Sequence, residues 1–395
     1  MITIRNIRIE QQNNKSRLCA DILYKEEENT LWYEVKKEYE KYLCYERADA
    51  FLVALLLYAM ERQEDIKILD TPVTSKLYFN IINYIIPVLA SKGIKYYPIN
   101  IICNISSEKI FNEEQNGTGI SRGVDSFQTL KKYTQDCPKD MQVKWLTFFN
   151  VGSHSDFGGE NGRKLFLKRK NISEKFAKEN NFNFIDVDSN ISEFLGQIFV
   201  ETHSFRSASA VFAIQKLFKN YYYASGYSVH DFKIQLDRPA KFEIYILSFL
   251  STDSLTFYSS GCESNRLNKV YVIKEYELAQ KNLNVCFNDE FNCGKCEKCI
   301  RTMFELYANN SLEKFSKVFD VEEFNRSKKW YEYMFMKEFY KQNIDYIDTY
   351  NLMKEKNLKI SNFIKIKAFL YVKIEQILPI FITEAIKNRR KKHVK

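Results

Sequence analysis

The sequence predicts an α/β protein built on a doubly wound parallel sheet, with an N-terminal α/β appendage and a helical C-terminal region. Three observations lead there. From Glu113 onward, short apolar strands alternate with Gly-containing loops and helix-period segments, the pattern of a parallel sheet wrapped by helices. Before that, residues 1–48 are strand-rich and are followed by strongly apolar helical segments. Beyond Ser311 the strand signals fade, while aromatic and Ile residues recur at helical spacing.

Ile2, Ile4, Ile7 and Ile9 nearly alternate, and residues 32–35 form a second short strand pattern. Residues 48–62 predict an apolar helix and 66–69 a buried strand. In 75–91, Leu77, Tyr78, Ile81, Ile82, Ile85, Ile86 and Leu89 keep helical spacing, with Gly93 as a stop and 97–103 as a strand. A strand to Ile120 then leads into the loop Ser121 to Ser126 and a helix through Phe127, Leu130 and Tyr133. Residues 143–150 predict a strand, 162–180 a basic helix and 184–187 a strand. Residues 191–218 hold one long helix or two shorter ones, and 221–224 and 255–259 are further strands. Residues 330–350 and 363–387 predict helices that pack as a cap. The resulting division is 1–110 as the appendage, 111–310 as the core domain and 311–395 as the helical region.

The 395 residues exceed one typical core. A hydrophobic fraction of 45%, with 31 Phe and 26 Tyr, excludes a disordered chain, and 12 Gly with 6 Pro exclude collagen-like or linker-rich architectures. The uncharged apolar run 51–60 is too short for the roughly 20 residues of a membrane helix. The opening residues alternate Ile with polar side chains rather than forming a signal segment. The expectation is a cytoplasmic protein without membrane insertion; a homodimer is compatible. The net charge of +9 favours anionic partners. Part of it lies in the run 388–392, which reads as a solvated helix end before a nucleic-acid arm. Nine cysteines in a reducing compartment make a tight cluster a sign of metal or catalysis rather than disulfides.

Two motifs carry chemistry. The first is Ser121-Arg122-Gly123-Val124-Asp125-Ser126, between a predicted strand and a predicted helix. Small residues let backbone N–H groups converge on phosphate oxygens, and the helix adds its positive end. Ser121 and Ser126 supply hydroxyls, while Asp125 orients the loop or helps hold Mg²⁺. An ordinary helix start capped by Asp125 or Ser126 is the competing reading. The second motif is Cys286-x6-Cys293-x2-Cys296-x2-Cys299, with Gly294 allowing a tight turn. Four thiolates at this spacing suit tetrahedral Zn²⁺ in a structural site, and an iron–sulfur cluster is the alternative.

The loop resembles the Ser-Gly-Gly-x-Asp-Ser loop of the PP-loop (N-type) ATP pyrophosphatases, with Arg122 in place of the first Gly. A PP-loop followed by a knuckle Cys-x(6–8)-Cys-Gly-x-Cys-x-x-Cys, with an Arg after it, is similar to the 7-cyano-7-deazaguanine synthase (QueC-like) family. Here the knuckle reads Cys293 to Arg301, and the resemblance spans about 116–304. It implies an adenine nucleotide alpha hydrolase-like sheet that binds ATP with Mg²⁺, splits it into AMP and pyrophosphate, and adenylates a carboxylate or carbonyl oxygen for displacement by ammonia or an amine. Ser121, Arg122, Gly123, Val124, Asp125 and Ser126 would hold the nucleotide, with Asp125 and Ser126 also catalytic. His154, after the second strand, and Arg206, near the family's Pro-x-Arg-Asn segment, would be further nucleotide contacts. Lys269, near its Thr-Lys pair, would neutralise departing pyrophosphate. The family's Tyr-Pro-Asp-Cys-Arg-Pro-Glu-Phe segment is replaced by 227–242, which leaves the substrate open. Two other functions stay open: a nucleotide-binding module without turnover, and a zinc-knuckle protein that binds or modifies nucleic acid.

Overall fold

The computed structural model describes residues 1–286 and 289–377. The chain divides into two compact units, 1–265 and 266 onward. The basic run 388–392 and the end of the predicted helix 363–387 lie outside the described residues.

The first unit opens with an antiparallel meander, β1 (Ile2–Gln12), β2 (Lys15–Tyr24) and β3 (Glu27–Lys36). Helix α1 (Asp49–Arg62) follows, then the short strands β4 (Ile66–Ile68) and β5 (Ile101–Ile102). The rest alternates: β6 (Gln115–Gly119), α2 (Val124–Gln135), β7 (Trp145–Asn150), α3 (Gly159–Glu179), β8 (Asn183–Ser189), α4 (Phe199–Ala213), β9 (Phe218–Ala224), α5 (Glu243–Leu250) and β10 (Thr256–Ser260).

Among the described residues these ten strands form one sheet, in the order β10-β9-β6-β7-β8-β3-β2-β1-β4-β5, while Val73–Thr74 and Ile105–Ser106 pair separately. The five strands from β6 to β10 are mutually parallel. Numbered from β6, they run 3-2-1-4-5 across the sheet, an order compatible with a doubly wound α/β fold. The larger core joins α1, α4 and α5 to inward residues of β1–β4, β8 and β9. Helices α2 and α3 pack on each other through Phe127 and Phe176, 5.7 Å between ring centres.

The sheet runs across the expected boundary at residue 110. β3 pairs antiparallel with β8, Glu34 opposite Asp188 and Tyr33 opposite Ser189. The Tyr33 hydroxyl also hydrogen-bonds Ser209 of α4, 2.8 Å away. The meander therefore completes the β8 edge rather than standing apart. The alternative of two helices holds for 191–218: Gly196, at φ +57°, ends Ile191–Leu195 before α4 begins. The strand expected over 97–103 contracts to β5, and α5 was not anticipated.

The second unit is helical among its described residues: α6 (Arg266–Ile273), α7 (Glu277–Asn282), α8 (Glu297–Ala308), α9 (Val321–Arg326), α10 (Lys328–Tyr340), α11 (Ile344–Glu355) and α12 (Asn362–Ile377). The helical region thus begins at Arg266 rather than at 311. Its reason is a buried ion-pair cluster: Arg266 donates to Glu305 (3.2 Å) and Thr302 (3.0 Å) of α8, and Arg301 pairs with Asp345 of α11. The cysteine knuckle belongs to this unit, not to the sheet.

Candidate nucleotide site and metal centre

The loop Ser121–Ser126 joins the carboxyl end of β6 to α2. β6 lies between β9 and β7, where the strand order reverses. Open parallel sheets bind ligands in the crevice at that switch point. The first intrahelical bond runs from the Phe127 N–H to the Gly123 carbonyl, 3.0 Å, so the preceding amides sit at the open, positive end of the helix. The Ser126 hydroxyl donates to the Gly123 carbonyl (3.0 Å), and the Ser121 hydroxyl accepts from the Gly123 N–H (3.3 Å). These bonds hold the loop's shape with its own small residues. Val124 is buried beneath it, Asp125 is half-buried in the first helical turn and Ser121 is exposed.

Arg122 sits at φ +60°, a left-handed conformation that glycine adopts freely and arginine does not. Its side chain is buried, and desolvation with the nearby charge of Arg169 lowers its pKa to about 10. Arg169, on α3, was not anticipated. The sequence signal for it was the basic character of residues 163–170, which reads equally as a solvated face.

His154 reaches the same region from the loop after β7. Its ring packs against Phe148 and Phe166, with centres 5.3 and 5.4 Å away, and its Nδ1 lies 3.1 Å from the Ser153 hydroxyl. Burial and Arg169 push its pKa down to about 3, so the imidazole is neutral.

Arg206 is positioned differently from the anion contact expected of it. It is fully buried, and its guanidinium donates to the carbonyls of Val151 (3.3 Å), Asp156 (3.2 Å) and Gln197 (2.6 Å). Those bonds brace the loop that carries His154. Lys269 lies in the second unit, buried on α6.

A cavity of about 460 Å³ lies near the end of β8. Its lining includes Trp32, Arg17, Glu34, Arg163 and Asp188. Arg17 stacks 4.1 Å from the Trp32 ring centre while its Nε donates to Glu34, 2.7 Å. Asp188 accepts from Asn150 at the end of β7 (2.7 Å) and from Arg163 of α3 (2.6 Å).

In the second unit, the Sγ atoms of Cys286, Cys293, Cys296 and Cys299 all lie within 4.8 Å of one another, a set that can hold a metal ion. The Cys296 N–H donates to the Cys293 sulfur, 3.3 Å, and Gly294 turns the chain at φ +69°. Asn292 stitches the knuckle: it accepts from the Val285 N–H (2.8 Å) and donates to the carbonyls of Leu283 (2.8 Å) and Val318 (3.1 Å). The hydrogen-bonding Cys296 side chain, with burial, pushes the Cys299 thiol far up. Four crowded sulfurs of this kind ionise together only around a cation.

No family model matches the chain, and neither a curated protein nor a solved structure matches it.

Proposed function

We propose that this protein is an ATP-dependent, AMP-forming enzyme that adenylates an oxygen of a small molecule. The observation that carries this reading is the loop Ser121–Ser126 at the switch point of a 3-2-1-4-5 parallel half-sheet, leading directly into a helix N-terminus. The loop would hold ATP, and Asp125 would help hold a Mg²⁺ ion, which would supply neutralisation of phosphate charge. A substrate carboxylate or carbonyl oxygen forms a bond to the α-phosphorus. The bond to the β-phosphate oxygen breaks, and pyrophosphate leaves with that electron pair. Ammonia or an amine then forms the C–N bond, AMP departs, and the amine proton passes to solvent. The chain contributes orientation and charge stabilisation. The cavity at Trp32 and Asp188 lies along the sheet from the loop and offers a substrate position. Zn²⁺ held by Cys286, Cys293, Cys296 and Cys299 supplies a structural cross-link in the second unit.

A nucleotide-binding module without turnover is the second reading. The left-handed Arg122 favours it, because the position strains a side chain where a bare backbone would approach phosphate freely.

The deciding experiment measures pyrophosphate release from ATP and Mg²⁺ with a panel of carboxylic acids and ammonia. Acid-dependent release supports the enzyme. ATP binding without release leaves the module. No ATP binding at millimolar nucleotide removes both.

A further inference from the structure

Helix α3 carries an inward stripe not used above. Phe166, Arg169, Ser173 and Phe176 fall at i, i+3, i+7 and i+10, on one helical face. Both ends of the stripe are fixed against the loop's surroundings. Phe166 meets His154 at 5.4 Å and Phe148 at 5.7 Å. Phe176 meets Phe127, in the first turn of α2, at 5.7 Å. Arg169 and Ser173 therefore lie between His154 and the start of α2. Ser173 is 1% exposed, and its hydroxyl has no hydrogen-bond partner among the described residues. Arg169 also stands within Coulombic reach of both Arg122 and His154. Two guanidiniums beside a neutral imidazole in one half-buried place suit an anion in charge and in donor geometry.

We propose that Arg169 is a second phosphate-binding residue, which with Arg122 and the Ser173 hydroxyl grips the β- and γ-phosphates of a nucleotide whose α-phosphate rests on the loop Ser121–Ser126. The proposal rests on the nucleotide reading of that loop and deepens it. It makes the site selective for triphosphates and for free pyrophosphate over monophosphates. The two guanidiniums give planar donor forks that match non-bridging phosphate oxygens, which a lysine does not reproduce. As the α–β bond breaks, they hold the charge that collects on pyrophosphate.

The test is calorimetric binding of Mg·ATP, AMP and inorganic pyrophosphate to the full chain and to Arg169→Ala, Arg169→Lys and Ser173→Ala. Thermal unfolding of each variant serves as the fold control. Arg169→Ala should weaken ATP and pyrophosphate by about tenfold or more and AMP by less than about twofold, with Arg169→Lys recovering part of the loss. Ser173→Ala should show the same selectivity at smaller size. Equal losses for ATP and AMP, or unchanged ATP binding, would overturn the subsite while leaving the nucleotide reading intact. Arg169-dependent pyrophosphate binding by a wild type that takes neither ATP nor AMP would keep the subsite and remove the nucleotide reading. Binding of none of the three ligands by wild type would overturn both.

Discussion

Arg206 occupies the space that a side chain at position 152 would need. A Cβ on Gly152 would stand 2.7 Å from the Arg206 Nη1 and 2.5 Å from the Phe199 ring, and Gly152 itself lies at φ +127°. The bare backbone there lets the guanidinium reach the Val151 carbonyl at the end of β7. The pair therefore sets the course of the loop that delivers His154.

Arg206→Gln leaves several buried carbonyls without a donor. It should lower stability by about 3 kcal/mol or more, measured by denaturant unfolding. Gly152→Ala should also destabilise, through the same crowding. A stable Arg206→Gln protein that has lost only ATP affinity would return Arg206 to the role of a phosphate contact.

Asp125→Ala and Ser126→Ala should abolish ATP-dependent pyrophosphate release. Ser126→Ala also loses the bond to the Gly123 carbonyl, so its stability should fall by about 1 kcal/mol in denaturant unfolding. Undiminished release from either variant would place the chemistry elsewhere.

Arg122 separates two effects that share one residue. Arg122→Ala should weaken ATP binding by about 1–3 kcal/mol, the scale of a charge-assisted hydrogen bond. Arg122→Gly should bind ATP as weakly as the Ala variant yet be more stable than it by about 1 kcal/mol, because only glycine is at ease at φ +60°. Pyrophosphate release by Arg122→Gly above wild type would instead mark Arg122 as an obstruction.

The purified protein should contain about one Zn²⁺ per chain by elemental analysis, and Cys296→Ser should lose it together with protease resistance around α8. Iron with visible absorbance would replace zinc by a cluster. Well-folded protein without metal would end the metal reading.

His203 gives a pH signature. Burial lowers its pKa to about 4 from the usual 6.5, and its Nδ1 lies 2.7 Å from the Tyr223 hydroxyl. Between those values the unfolded chain binds a proton that the folded chain refuses. Stability should therefore fall as pH drops from 6.5 toward 4, by up to about 1.4 kcal/mol per pH unit, and this contribution should level off below 4. The slope should be shallower in His203→Gln, as read from unfolding curves at several pH values. Parallel slopes would show His203 to be protonated in the native state.

Features that depend on neighbours along the chain are legible in the sequence. The cysteine spacing fixed a cluster because ligands three and seven residues apart meet in a tight turn whatever lies around them. The strand–loop–helix run from Gln115 to Gln135 followed from local periodicity and small loop residues. The tertiary structure decided what depends on edges and burial. A strand's hydrogen-bonding edge has no side-chain signature, so nothing near residue 34 announces Asp188 as its partner, and the meander looked like a separate appendage. An arginine reads the same in sequence whether it meets phosphate, backbone carbonyls or water. Only the packing of α3 and α4 assigns Arg206 to carbonyls and brings Arg169 near Arg122, because the energy of a guanidinium depends on what surrounds it after water has been removed.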